Sequence, residues 1–160
     1  MKYLFALALT LALGACDSPE NPATDTSLAQ QYHGRWVVIN YWAQWCKPCI
    51  AEIPELNALD EKYPQVAVLG VNYDGAVGDV LDKQLKTLGV AFPTLPQDPA
   101  AELGSPRPIV LPTTLILDPD GKLVHTLVGP QTLQSLALAT EQAAIPEAGP
   151  TTEDLIDEQR

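Results

Sequence analysis

The feature that most constrains this chain is a pair of cysteines, Cys46 and Cys49, which are separated by two residues and lie between two apolar segments. The preceding segment, residues 36–42, is almost continuously apolar and has the length of a buried strand. In the following segment, residues 50–59, large apolar side chains recur at helical spacing. The cysteines are therefore predicted to lie where a strand ends and a helix begins, which is typical of a redox dithiol.

The positions of the two cysteines predict different chemical roles. Cys46 lies at or just before the first helical turn, where unpaired backbone N–H groups and the helix dipole stabilise a thiolate and lower its pKa. Cys46 is therefore predicted to be the attacking thiol. Cys49 shares the core-facing stripe of the helix with Ile53, so it is predicted to be less exposed and to act as the resolving thiol. Between them, Pro48 suits the first helical positions and Lys47 adds a cation.

A Cys-x-x-Cys pair can also form a structural disulfide or half of a zinc site, and the spacing alone does not separate these alternatives from redox chemistry. A tetrahedral zinc site needs four ligands. The only other cysteine is Cys16, and the two histidines, His33 and His125, lie far apart in sequence. The available ligands therefore favour a redox dithiol, and no metal site is predicted.

The N-terminal residues have the pattern of an export signal. Lys2 precedes an apolar stretch, residues 3–13, that is too short to span a bilayer but suits the apolar region of a signal peptide. The stretch ends in Leu-Gly-Ala-Cys, which resembles the lipobox of bacterial lipoproteins, and this implies that Cys16 carries a lipid anchor. In Gram-negative lipoproteins of this kind, an aspartate at the position of Asp17 favours retention in the inner membrane. The alternative is ordinary secretory cleavage nearby.

The length of 160 residues suits one ordinary domain and is too short for two. The predicted organisation is a lipoprotein signal peptide at 1–15, a lipid-anchored linker at 16–26, a folded domain at 27–142 and a flexible acidic tail at 143–160. The formal net charge of -11 argues against binding of nucleic acid or of an anionic bilayer by the protein surface itself.

The domain is predicted to alternate strands and helices. Strands are predicted at residues 36–42, 66–72, 113–117 and 123–128, with helices after the first strand and at 77–88. The first two strands and their helix form a right-handed βαβ unit. Residues 93–112 are rich in proline and mostly irregular. A final helix is predicted to begin near Pro130 and to bury Leu133, Leu136 and Ala137.

This order of elements, with the cysteine pair after the first strand, resembles the thioredoxin fold, an α/β fold with a central mixed four-stranded sheet flanked by helices. In its details the chain resembles the membrane-tethered, TlpA-like thiol-disulfide oxidoreductases, including the reductases of cytochrome c maturation. The resemblance rests on the motifs NYWAQWCKPC at 40–49, Glu52 with Pro54, LPTT at 111–114 and DPDGK at 118–122. The extra β-hairpin that usually precedes the Trp-Cys motif in this family has no counterpart here, which implies a different accessory substrate surface.

The resemblance assigns roles around the substrate. Pro112 is expected to follow a cis peptide bond and to face the dithiol. The backbone of Leu111 would then be free to pair with an extended substrate segment, and Pro112 would keep metals from the thiols. Trp45 is expected to shield Cys46 and to contact substrate. Without the resemblance, Pro112 is only one more loop proline and Trp45 is an aromatic that packs beside a core strand.

Glu52 is the expected proton acceptor for the resolving thiol. Thioredoxins proper have a buried acid at the position of Asn40, so this chain must deprotonate Cys49 in another way. Glu52 lies one helical turn beyond Cys49 and matches the glutamate of the TlpA-like pattern. A partly buried carboxylate with a raised pKa can accept the thiol proton. The alternative is an ordinary acidic residue favoured near a helix N-terminus.

The predicted function is a periplasm-facing, inner-membrane-anchored thiol-disulfide oxidoreductase that needs no cofactor beyond its dithiol. The resemblance, and not the residues, implies the reducing direction and the partners, which are disulfide-containing exported proteins such as apocytochrome c and a transmembrane thiol electron donor. The alternatives are a thiol oxidase or isomerase of the same fold and a redox-inert binding or chaperone module. A peroxidase is disfavoured because no peroxidatic Pro-x-x-x-Thr/Ser-x-x-Cys motif precedes the site.

Overall fold

The computed structural model describes residues 27–144. Its elements are α1 Leu28–Gln31, β1 Trp36–Trp42, α2 Lys47–Lys62, β2 Val66–Asn72, α3 Gly78–Leu88, β3 Thr113–Leu117, β4 Leu123–Val128 and α4 Leu133–Ala139. The predicted signal peptide, Cys16, the linker and residues 145–160 of the predicted tail lie outside the described residues. Within the described range, no helix combines the length and the apolar character needed to cross a membrane.

The four strands form one mixed sheet in the order β2-β1-β3-β4. β1 and β2 are parallel and are joined through α2, whereas β3 is antiparallel to both β1 and β4. β2 is buried along its whole length and β1 along nearly all of it, which explains why both read as almost continuous apolar runs. The strand bounds agree with those predicted from the sequence, and the predicted thioredoxin fold is confirmed.

Three apolar clusters hold the layers together. The first joins β1, β2 and β3 to buried leucines of α2 and α4, and the second joins the opposite face of these strands to α1 and to the segment before β3. The third cluster consists of Trp42, Ala43, Cys46 and Cys49, against which three leucines of α3 pack. The cysteine pair is therefore part of the packed structure, at the end of β1 and beneath α3.

The last helix begins later than the sequence predicts. α4 begins at Leu133 and not near Pro130, because Thr132 caps it. The Thr132 side chain accepts the Ser135 N–H at 3.2 Å, and the Ser135 hydroxyl oxygen accepts the Thr132 N–H at 3.0 Å. This reciprocal capping fixes the helix start. The residues before the cap lie outside the helix, and the backbone N–H of one of them, Gln131, bonds to Glu52 of α2. Leu136 and Ala137 are buried as predicted, while Leu133 is half-buried.

Candidate active site

The two cysteines lie at the start of α2 and are joined by a disulfide, with their Cα atoms 5.3 Å apart. Cys46 is the N-cap residue, and its Sγ accepts the backbone N–H of Cys49 at 3.3 Å. Pro48 occupies the first turn, where its missing N–H removes no intrahelical bond. The unpaired N–H groups and the dipole of this 16-residue helix favour negative charge at Cys46 Sγ.

Access to the dithiol comes through Cys46. Cys46 is 4% exposed, whereas Cys49 is fully buried. The two cysteines form one buried cluster with Trp42 and Ala43, while Lys47 and Pro48 between them are exposed. The order of exposure agrees with the predicted roles, in which an incoming sulfur reaches Cys46 first.

The segment before β3 packs against the dithiol. The Leu111–Pro112 peptide bond is cis, as the resemblance implies. Leu111 packs against the cluster that contains both cysteines. The backbone N–H and C=O of Leu111 have no hydrogen-bond partner within residues 27–144, while the neighbouring Pro112 carbonyl accepts the Gly129 N–H at 2.9 Å. An unpaired backbone therefore borders the dithiol.

Trp45 lies on the surface beside the cysteines. Its side chain is 64% exposed, so it is not part of the core. The indole Nε1 donates to both carboxylate oxygens of Asp74, at 3.1 and 3.0 Å. The loop after β2 thus holds an exposed aromatic surface next to Cys46.

Glu52 is buried in the protein interior, with 1% of its surface exposed. Its Oε1 accepts a bond from Asn40 Nδ2 at 2.7 Å, and its Oε2 accepts the Gln131 N–H at 2.8 Å. Burial raises the pKa of the Glu52 carboxyl, while the bonds from Gln131 and Asn40 oppose that rise. Glu52 is therefore not a solvated acid at a helix end, and its environment suits exchange of a proton near the dithiol.

Two contributors to this carboxyl site have no clear signal in the sequence. Gln131 acts through its backbone N–H, so its residue type says nothing about the contact. Thr114 accepts a second bond from Asn40 Nδ2 at 3.1 Å. Thr114 belongs to the LPTT motif, but the motif alone does not show that its hydroxyl faces Asn40.

A second polar cluster, also absent from the sequence predictions, fastens the proline-rich segment to the sheet. Asp98 accepts the Tyr41 hydroxyl at 2.7 Å and pairs with Arg107 Nε at 2.8 Å. The Arg107 guanidinium donates to the Tyr73 carbonyl at 2.6 Å and lies 4.0 Å from the Tyr73 ring centroid. Burial and the nearby Asp98 raise the pKa of Tyr41. This cluster positions the loop that carries Asp74, and with it the Trp45 indole.

Residues 27–144 contain no ligand set for the zinc site that the cysteine spacing left as an alternative. Across residues 27–144, no group of three His, Cys, Asp or Glu side chains comes together in a way that could hold a metal ion. The disulfide-forming pair is thus accompanied by a buried carboxyl group, an unpaired backbone segment and an exposed indole.

Comparisons with known proteins place the chain among thiol-disulfide proteins. A family model described as AhpC/TSA matches residues 14–126. The thiol-disulfide oxidoreductase ResA of Bacillus thuringiensis (strain Al Hakam) is 34% identical over 104 residues, which cover 64% of this chain and 60% of the relative. A DsbF homologue from Corynebacterium diphtheriae has a TM-score of 0.60 at 27% identity, and the match covers 71% of this chain and 74% of that one.

A Chlorobium tepidum structure described as a thiol:disulfide interchange protein DsbE has a TM-score of 0.54 at 30% identity. That match covers 68% of this chain and 78% of the other. The chain spans only 60% of the length of the ResA relative that it matches.

Proposed function

Because the chain belongs to the AhpC/TSA family, among the thioredoxin-like thiol-disulfide oxidoreductases related to ResA and DsbE, we propose that it reduces disulfides of exported proteins. The observation that carries this proposal is the Cys46–Cys49 disulfide at the start of α2, in which Cys46 Sγ accepts a helix N–H. This arrangement favours a thiolate at Cys46 once the disulfide is reduced.

The reaction begins from the reduced dithiol. The Cys46 thiolate attacks one sulfur of the substrate disulfide, and the bonding electron pair leaves with the other substrate sulfur. Glu52 accepts the proton of Cys49, whose thiolate then attacks Cys46 Sγ and releases the first substrate sulfur. The substrate gains two electrons from the dithiol, one proton that comes from Cys49 by way of Glu52, and one proton from solvent, and the protein is left with the disulfide that the structure contains.

The surface around the dithiol suits an extended substrate. The unpaired backbone of Leu111 can bond to a substrate strand, in the manner of strand addition to a sheet edge. The exposed Trp45 indole offers an apolar contact beside the attacking sulfur. Pro112 faces the dithiol in this proposal and keeps metals from the thiols. A surface of this kind binds the substrate backbone more than its side chains, so exposed disulfides of several proteins are acceptable substrates.

The proposed setting is the periplasmic face of the inner membrane, to which Cys16 anchors the protein through a lipid. Apocytochrome c is the favoured client class, and a transmembrane thiol protein supplies the electrons that regenerate the dithiol. Both partners are inferred from the TlpA-like resemblance. Within the described residues only the short helix α1 precedes β1, so the accessory substrate surface differs from that of relatives with a hairpin there.

Reduction of peroxides is a less suitable activity, although it is the chemistry of other redox proteins with a related fold. The peroxidatic motif needs Pro and Thr or Ser seven and three residues before the reactive cysteine. Those positions hold Ile39 and Ala43. Ala43 is buried and has no hydroxyl group with which to bind a peroxide.

The reduction potential of the dithiol tests the direction of the reaction. We expect a value nearer to that of thioredoxin, about -270 mV, than to that of a strong oxidant, about -120 mV. Equilibration in dithiothreitol buffers, with the two forms separated after alkylation, measures the potential. A value of about -120 mV would contradict the proposal and favour an oxidase.

A variant with both cysteines replaced by serine tests the alternative of a redox-inert module, because such a module would retain its binding or chaperone activity in that variant.

The lipid anchor is tested by Cys16→Ser. Because lipid attachment requires the cysteine sulfur, we expect the variant to be soluble or unprocessed, and cell fractionation measures the shift. Cys46→Ser in the same chain is the control, since it leaves the anchor intact. Recovery of the Cys16 variant in the membrane fraction after signal cleavage would overturn the anchor proposal.

A further inference from the structure

The buried amide of Asn40 makes an unbalanced set of hydrogen bonds. Both of its N–H groups are used, because Nδ2 donates to Glu52 Oε1 at 2.7 Å and to Thr114 Oγ1 at 3.1 Å. Its Oδ1 is buried and has no donor among the described residues. Buried polar atoms without a partner are rare and costly, so this acceptor calls for an explanation.

The Glu52 carboxyl shows the complementary imbalance. Oε1 faces Asn40 Nδ2 and Oε2 faces the Gln131 N–H, so both oxygens face donors. This arrangement satisfies a carboxylate. A protonated carboxyl group has an O–H that needs an acceptor, and an N–H group cannot accept. The hydrogen bonds of the structure therefore suit the ionised form of Glu52, and among the described residues they include no acceptor for a carboxyl O–H.

We propose that the Asn40 amide reverses when Glu52 takes up a proton, so that Oδ1 replaces Nδ2 opposite the carboxyl group. A rotation of about 180° about the terminal torsion exchanges two atoms of nearly equal size. The Glu52 O–H then donates to Oδ1. The Thr114 hydroxyl, which can both accept and donate, turns to donate to the same oxygen. The reversal moves Nδ2 to the buried position that Oδ1 held, and the new O–H bonds from Glu52 and Thr114 offset that cost. Asn40 is thus a positioning residue that gives the Glu52 carboxyl group a donor when it is ionised and an acceptor when it is protonated.

The inference rests on the proposed function, because resolution by Cys49 is the step that delivers the proton. The S–H bond of Cys49 breaks, its electron pair stays on sulfur, and the proton moves to Glu52. The proton later passes to the departing substrate thiolate. Asn40 acts on this step only through Glu52, by giving the new O–H an acceptor while the carboxyl group stays in place.

Few titratable groups lie near Glu52. On its own helix these are the two cysteines and Glu55, whose Oε2 accepts the Leu133 N–H at 2.7 Å. β1 and β3 present only the amide and the hydroxyl already described, and the segment after β4 presents a backbone N–H. His125 of β4 shares the sheet face of Thr114, since it pairs with Ile116, and is exposed. In the oxidised protein the cysteines do not titrate, so Glu55 and His125 are the groups to be resolved from Glu52.

NMR spectroscopy of the full oxidised chain tests the reversal directly. Carboxyl ¹³C signals report the protonation of Glu52 and Glu55, and ring signals report that of His125. The side-chain amide signals of Asn40 are assigned from their absence in Asn40→Leu. At high pH we expect contacts between the Asn40 Nδ2 protons and Thr114. These contacts are expected to disappear in the same pH range in which Glu52 becomes protonated. Contacts that persist through the Glu52 titration would overturn the inference.

Glu52→Gln provides a fixed analogue of the protonated state. The Gln side chain can accept the Gln131 N–H with its oxygen, and its NH₂ group then needs an acceptor from Asn40. The variant is therefore expected to show the low-pH pattern of Asn40 contacts at every pH. Retention of the high-pH pattern would contradict the reversal. Glu55→Gln is the matched control and is expected to leave the wild-type pH response of Asn40 unchanged.

A kinetic measurement separates this positioning role from simple packing. Asn40→Leu removes both bonds, and the charge-assisted bond to the ionised carboxyl is the stronger one, so the acid limb of the rate of resolution is expected to move to higher pH, by about one unit. An unchanged limb would contradict the role of Asn40. If wild type reduces no disulfide, the proposed function fails, whereas the amide contacts still decide whether Asn40 reverses.

Discussion

Cys46→Ala is expected to lower the rate of disulfide reduction to background, a loss of more than about 10³-fold. Cys46 is the N-cap of α2 and the more accessible of the two cysteines, so among residues 27–144 no other sulfur is placed to make the first attack. The fully buried Cys49 cannot replace it, because its sulfur is not exposed to a substrate disulfide. Turnover of a fluorescent disulfide peptide, with dithiothreitol as electron source, measures the loss.

Cys49→Ala is the matched control for this prediction. This variant also lacks turnover, because it cannot resolve the mixed disulfide, but its Cys46 thiolate still completes the first attack. A single-turnover experiment should therefore release one equivalent of substrate thiol from Cys49→Ala and none from Cys46→Ala. A full equivalent from Cys46→Ala would reverse the assigned roles.

Glu52→Gln is expected to slow resolution of the mixed disulfide by about 10²- to 10⁴-fold, the usual contribution of a general base. Burial raises the pKa of Glu52, so the wild-type rate should fall as the pH drops through this raised value, and the Gln variant should lack this limb. Stopped-flow measurement of resolution across pH tests both points. Glu55→Gln removes a half-buried carboxylate one turn further along α2 and should keep the wild-type profile.

The same substitution changes the pH dependence of stability. Below the ordinary carboxyl pKa, Glu52 is protonated in both the folded and the unfolded protein. As the pH rises from there through the raised folded-state pKa, the unfolded chain ionises first, so wild type loses stability relative to Glu52→Gln. Urea unfolding at several pH values measures the free energy of unfolding of Glu52→Gln minus that of wild type. This difference should rise through the window and then level off. A difference that falls with rising pH would show that the Glu52 pKa is lowered.

The sequence predicts the fold and the dithiol well because both depend on local patterns. Buried strands such as β1 and β2 are continuous apolar runs, and a Cys-x-x-Cys pair after such a run has few structural solutions. The start of α4 was harder to predict, because Pro130 and Thr132 are both acceptable helix starts and only the capping contacts of Thr132 decide between them.

Long-range polar contacts are beyond such patterns. Gln131 bonds Glu52 through its main chain, and 79 residues separate the two. Tyr41, Asp98 and Arg107 come from a strand and an irregular loop, so no periodicity links them. The sequence suggests that Glu52 is available as a base. The burial that raises its pKa, and the bonds from Gln131 and Asn40 that oppose this rise, depend on how three distant segments pack.

The most direct test of the central claim is the capture of substrates by Cys49→Ala. Without Cys49 the Cys46 thiolate can still attack, but the mixed disulfide has no intramolecular route to resolution and should accumulate. We expect the captured partners to be exported proteins with exposed disulfides, apocytochrome c among them, together with a transmembrane thiol donor. The absence of adducts under conditions in which wild type reduces disulfides, or equal capture by Cys46→Ala, would contradict the account.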